Sequence, residues 1–230
     1  MKNIVIALLI IFKSTICLQS QATTENSGFG FGIRAGVNFQ NINGKNAIDN
    51  TLKNDLLIGF HGGLTLDIPI APEFYFQTGL LYSTKGAKNN EEILGQPIKS
   101  TISIGYLELP LNFLYKPALG MGHLLLGFGP YVGYGINGSL KYDGNLSSLN
   151  GDIKFQNKVN ITDPINTTYL KPLDFGANIL IGYELSNKIS FQLNAQLGLT
   201  KINPEYEGSV NDKTAIKNTG FGLSLGYRLR

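Results

Sequence analysis

The sequence predicts an all-β fold: eight antiparallel strands closing up-and-down into a transmembrane β-barrel, preceded by a signal peptide. Three observations carry this. Eight segments of about ten residues alternate with period two and split the same way, into an apolar face and a Gly-rich polar face. The links between them alternate long and short. The chain is also charge-poor and Gly-rich, with 15% charged residues and 28 Gly in 230, where a soluble domain carries about 25% charge and about 7% Gly. Its mean hydropathy is near zero, as expected when each strand is apolar on one face only.

The N-terminus reads as an export signal, with Lys2, an apolar core from Ile4 to Phe12, and Ser20-Gln21-Ala22 as the cleavage box. The cut is expected near Ala22, so that 1–22 is the signal peptide and 23–230 the barrel domain. The apolar core is too short for a membrane anchor. The only Cys, Cys17, lies inside this signal. Ile16 before it is too large for a lipoprotein signal, and the mature chain has no thiol chemistry.

The first expected strand is Gly30 to Gln40, with Phe31, Ile33, Ala35, Val37 and Phe39 opposing Gly32, Arg34, Gly36 and Asn38. The second, Ile58 to Ile68, sets Ile58, Phe60, Leu64 and Leu66 against His61, Gly63, Thr65 and Asp67. The third is Phe74 to Lys85 and the fourth Ile104 to Lys116, where Leu107, Leu109, Leu111, Phe113 and Tyr115 oppose Tyr106, Glu108, Asn112 and Lys116. The fifth is Leu124 to Gly135. Pro110 and Pro130 each remove a ladder donor from the fourth and fifth strands, which predicts a bulge or a strand shift there. The sixth is Leu173 to Leu185. The seventh, Ile189 to Leu199, has no polar member on its apolar face and no large apolar member on the other. The eighth is Thr219 to Leu229.

The links 41–57, 86–103, 137–172 and 201–218 are long. Ala71-Pro72-Glu73, 118–123 and Ser186-Asn187-Lys188 are short. Long outer loops, short periplasmic turns and both termini in the periplasm are the pattern of a bacterial outer-membrane barrel. An even strand number removes the sheet edges that lipid forbids. A soluble lipocalin-like barrel also has eight strands, but its apolar face points inward. Here the almost charge-free face suits lipid, and Tyr82, Tyr115, Tyr134, Tyr183 and Tyr227 fall near its strand ends, where an aromatic girdle meets headgroups. The alternation at 153–155 and 159–161 is expected to extend the barrel as a hairpin above the membrane.

The stretch FGFGIRAGVN from Phe29 to Asn38 resembles the opening strand of the PorT-like outer-membrane β-barrel family of Bacteroidota. Tyr106 to Asn112, Gly127 to Gly133, Asp174-Phe175-Gly176 and the closing Gly226-Tyr227-Arg228 are similar to further family segments. The resemblance spans nearly the whole mature chain. It implies a porin-like cell-surface barrel in a family whose founding member is linked to secretion and gliding machinery. The C-terminus stops at Leu229-Arg230 rather than on an aromatic, so recognition by the barrel-assembly machinery is expected to rest on Tyr227 and Leu229.

The charges of the polar face are the one constellation that stands out: Arg34, Lys85 and Arg228 with His61, against Asp67, Glu108, Asp174 and Glu184. They are expected to form a lumen charge network, because buried ions need pairing. The first and eighth strands must be neighbours, so Arg34 and Arg228 are expected to share acidic partners. Only His61 and His123 exist, and no Ser/Asp arrangement is visible beside either, so no catalytic residue, cofactor site or metal site is assigned. A net charge of +3 is too small to argue for nucleic acid, and no dense Lys/Arg patch interleaves with aromatics, so no nucleic-acid partner is expected. The expected partners are outer-membrane lipid, the assembly machinery and a surface or periplasmic protein. The leading reading is a structural or interaction protein whose outer loops serve adhesion, protection or complex assembly. A narrow channel for small solutes comes second, then a soluble ligand-binding barrel and a membrane lipid enzyme.

Overall fold

The computed structural model describes residues 28–93, 96–209 and 212–229. The expected signal peptide and its cleavage site lie outside the described residues. Eight long strands form the barrel: β1 Gly30–Lys45, β2 Leu57–Ala71, β3 Phe74–Ile93, β4 Gln96–Tyr115, β5 Gly122–Tyr142, β6 Leu173–Glu184, β7 Ile189–Gly198 and β8 Ala215–Arg228. Each pairs antiparallel with its chain neighbours, and β8 closes the ring on β1, from Gly32 opposite Arg228 to Lys45 opposite Ala215.

The stagger of the barrel follows from these registers. Phe31 opposes Leu66, Leu66 opposes Thr78 and Thr78 opposes Leu111. Leu111 lies level with Pro130, since Pro110 opposes Tyr131 and Phe113 opposes Phe128. The path continues through Ala177, Leu197 and Thr219 to Asn41, so one circuit returns to β1 ten residues beyond its start, at 41 instead of 31. Eight strands with this stagger tilt by roughly 40° and leave an interior just wide enough for side chains.

The outer face carries the apolar set. Phe60, Leu64, Phe128 and Ile179 are 58%, 62%, 63% and 64% exposed. Their even-spaced partners on the other side are buried: Arg34, Asn38, Asp67, Glu108, Asn112, Asp174, Asn178 and Glu184. This is the reverse of a soluble barrel, and it is what hydrocarbon requires of the surface. No helix among the described residues is long and apolar enough to cross a membrane; the strands make the crossing. The apolar band runs from the level of Tyr115, Tyr183 and Tyr227, at the end with short turns, to that of Tyr82 and Tyr134. Leu124 to Tyr134 on β5 rises roughly 25 Å at this tilt, the height of a membrane band.

Above Tyr82 and Tyr134 the sheet continues. β3, β4 and β5 run on to Ile93, back from Gln96 and up to Tyr142. Much of what reads as loop in 86–103 is therefore paired strand. The segment 151–155 joins β5 antiparallel, and 168–170 pairs parallel with it. The two alternating patches do not form a hairpin with each other. Lys158–Val159 pairs instead with Glu205–Tyr206 in the neighbouring loop.

The two prolines act differently from the expectation. On either side of Pro110 the β3–β4 register is the same, Thr78 opposite Leu111 and Leu81 opposite Glu108, and only the rungs between are lost. Pro130 likewise interrupts β4–β5 without displacing it. The shift in that pair falls at Gly105/Tyr106, and another at Pro69/Ala71. A missing N–H removes a rung; the ladders on both sides hold the register.

Candidate functional site in the barrel lumen

The inward side chains form levels along the barrel axis. At the turn end, Lys116 Nζ lies 3.4 Å from Asp67 and 3.1 Å from Glu184. Arg228 donates to Glu184 from Nη2 at 2.9 Å and Nε at 3.1 Å. Gln77 donates to the other Asp67 oxygen at 2.9 Å. Leu114, Leu125 and Leu180 pack beside this group with Tyr75. Lys116 is a member that the charge reading left out, although it shares the polar face of β4 with Glu108 and Asn112.

In the middle, Asn178 donates to Asn112 at 3.0 Å. The Asn38 amide donates to Ser83 at 3.1 Å, and the His61 ring joins Asn38 and Ser224, each at 2.7 Å. Asn38 Oδ1 can only accept, so His61 carries its proton on Nδ1, and Nε2 accepts from the Ser224 hydroxyl. Gly36 makes this possible. It is paired with His61 on one side and Ser224 on the other, and its missing side chain leaves the imidazole free to cross β1. The order hydroxyl, imidazole, amide has the form of a nucleophile, base and orienting group, which sequence alone did not reveal. Ser224 is buried, while Asn38 and His61 line the middle cavity. The arrangement forms a hydrogen-bonded strut across three strands. His123 is exposed near the turn end, far from this group in the ladder, opposite Glu184.

Arg34 stands apart. Its Nη1 donates to Gln192 at 3.2 Å, and no carboxylate among the described residues comes within 4 Å. Arg34 and Arg228 do not share a partner. Arg34 opposes Gly226, two residues further into the barrel than Arg228, and from there it reaches Gln192 rather than Glu184.

Towards the loop end, Lys85 is fully buried between Glu108 at 3.0 Å and Asp174 at 3.1 Å. Its ammonium lies 3.9 Å from the Tyr131 ring centre. Tyr131 and Asn218 donate to the same Asp174 oxygen at 3.3 and 2.9 Å, and Gln196 donates to Glu108 at 2.6 Å. The lumen thus sets four cations, Arg34, Lys85, Lys116 and Arg228, against four carboxylates, Asp67, Glu108, Asp174 and Glu184. Balanced charge with many hydrogen bonds offsets the cost of desolvation.

The loop end is closed by apolar side chains. Ile42, Ala87, Ile104 and Tyr106 from the strands pack with Ile153, Leu170 and Ile202 from the outer loops. Small polar cavities lie below this plug. One of about 30 Å³, partly open to solvent, lies at the turn end. Another, about 10 Å³ and room for about one water, lies in the middle. Arg34 lines both. Among the described residues no three His, Cys, Asp or Glu side chains converge as metal ligands.

Outside the membrane band, Asp163 organises the longest loop. It accepts from the Asn160 N–H at 2.7 Å and from Gln156 at 2.9 Å. These bonds, the backbone one first, hold its carboxyl below the ordinary carboxylate range.

Residues 19–203 match the family described as the outer membrane protein beta-barrel domain, and the chain belongs to that family. No curated protein matches it. Among solved structures it is similar to Neisserial surface protein A, at 10% identity over 88% of this chain and 99% of that one, with a TM-score of 0.44. It is similar to Ail, the attachment invasion locus protein of Yersinia pestis, at 12% identity over 89% and 100%, with a TM-score of 0.37. A third is the outer membrane protein AlkL in DMPC bilayers, at 11% identity over 92% and 96%, with a TM-score of 0.28.

Proposed function

We propose that this member of the outer membrane β-barrel family is a closed barrel whose outer loops are its working surface, acting as a structural or interaction protein in adhesion, protection or complex assembly. The observation that carries this reading is the apolar plug of Ile153, Leu170 and Ile202 over a lumen otherwise filled with paired charges. A solute path would have to cross both. The strands also rise well past the apolar band and present loops whose tips carry exposed apolar side chains, with Ile161 76% and Ile165 100% exposed. Such positions on a rigid scaffold suit a protein contact.

Export by a signal ending near Ala22, insertion by the barrel-assembly machinery and a PorT-like position within the family complete the proposal; the segments around Phe29, Tyr106 and Gly226 support the last of these. We assign no enzyme activity, since Ser224 is buried in the barrel wall. The second reading, a narrow conduit, draws on the two polar cavities that meet at Arg34. The test is to replace residues 143–171 by a short turn. The barrel should keep its detergent-resistant, heat-modifiable migration while cells lose their attachment or envelope-integrity phenotype. An unchanged phenotype in a folded barrel without this loop would remove the longest loop from the function.

A further inference from the structure

We infer that the turn-end cavity is a blind binding site for a small oxyanion, a carboxylate or phosphate group of a periplasmic solute, with Arg34 at its floor. Three of the four lumen cations have a carboxylate within 3.5 Å: Lys85, Lys116 and Arg228. Among the described residues Arg34 has only the Gln192 amide oxygen, 3.2 Å from Nη1. It is 8% exposed, and its Nε has no partner. Asp67 and Glu108 act on it only from beyond 4 Å. A buried guanidinium held by one neutral acceptor is a poorly satisfied cation. Its planar fork matches a carboxylate or phosphate edge.

The space is present where the charge is. The cavity is small, about 30 Å³ and room for about two waters, the size of a single carboxylate or phosphate edge, and it runs from the mouth, at Gly30 and Arg228, up to Arg34. Thr65, Ser190 and Gln192 offer polar groups on its walls, and Gly32 and Gly226 leave the backbone bare. Its lining holds three cations, Arg34, Lys116 and Arg228, against two carboxylates, Asp67 and Glu184. Both carboxylates are already engaged by Lys116 and Arg228. Arg34 is the cation of this lining with no carboxylate in contact; the charge that balances it, Glu108 of the Lys85 group, acts from beyond salt-bridge distance. The plug at the other end makes the site accessible from the turn end alone, the periplasmic side in this family's topology.

The test is a titration of the full mature chain in lipid nanodiscs. The Arg34 Nε–Hε resonance is followed as acetate, phosphate or chloride is added at constant ionic strength. Acetate or phosphate should give a saturable shift at Arg34 and a smaller one at Arg228, while chloride should not. Preference for acetate or for phosphate names the group recognised. Arg34→Gln, checked for heat-modifiable migration, should abolish saturation at the remaining cavity resonances. A second measurement needs no loss of charge. Ser190→Cys should react with an anionic methanethiosulfonate, and the bound oxyanion should slow that reaction several-fold. A wild-type titration that stays linear, or that matches chloride, overturns the proposal whatever the Arg34 variant does.

Discussion

Gly36 and His61 face each other directly across β1 and β2, and the bare backbone at Gly36 is what carries the His61 imidazole over to Ser224. A Cβ at Gly36 would come 2.7 Å from His61 Cε1 and 2.8 Å from the Ser224 Cα, and would also press on the Leu223 carbonyl. Gly36→Ala should therefore displace the imidazole and lower stability by about 1–3 kcal/mol, the usual range for overpacking. Urea unfolding in lipid vesicles, read as the loss of the heat-modifiable band, measures it. Gly28→Ala, which meets nothing within 4 Å, should leave stability unchanged.

The Lys85 group makes a sharper test of the lumen. Lys85→Met strands Glu108 and Asp174 in a buried site, which costs about 3–5 kcal/mol when one partner of a buried pair is removed. Adding Glu108→Gln and Asp174→Asn to the same chain should recover a large part of that loss. If the single variant unfolds at the wild-type urea concentration, the ion pairs are not holding the barrel.

The Asp163 turn should respond to pH. Its folded carboxyl lies below the ordinary value, so ionisation stabilises the turn above the ordinary carboxylate range, and that stability is lost as pH falls through the depressed folded value. The protection factor of the Asn160 amide, its exchange divided into the intrinsic rate at each pH, should be high at neutral pH and fall in acid. Asp163→Asn should show a low protection factor there at both pH values while the barrel strands stay protected.

Much of the fold was legible because lipid imposes period two so strictly. The seventh strand, Ile189 to Leu199, ends one residue from its structural limit at Gly198. The outer ends were not legible. Beyond Tyr82 and Tyr134 the strand leaves hydrocarbon, and residues such as Lys88, Asn89 and Asn90 carry no apolar alternation although they still pair. The lumen members Lys85, Glu108 and Asp174 could be picked from their faces, but not who meets whom. That depends on the ten-residue stagger, which places Arg34 beside Gln192 and Arg228 beside Glu184. The Ser224–His61 contact needs ring closure, since it joins residues 163 apart in sequence. The plug escaped notice because Ile153, Leu170 and Ile202 come from loops whose apolar residues look scattered until they fold back over the mouth.

The most direct test of the closed-barrel account is conductance in planar bilayers, with wild type beside a variant carrying Ile153→Ser, Leu170→Ser and Ile202→Ser. Wild type should insert and give no steps, because the plug and the Lys85 ion pairs block the lumen in series. The plug variant alone should also stay silent, and conduct only when Lys85, Glu108 and Asp174 are truncated to Ala as well. Reproducible steps from the wild-type protein, at a frequency that scales with inserted barrel, would contradict the account and make the narrow channel the working function.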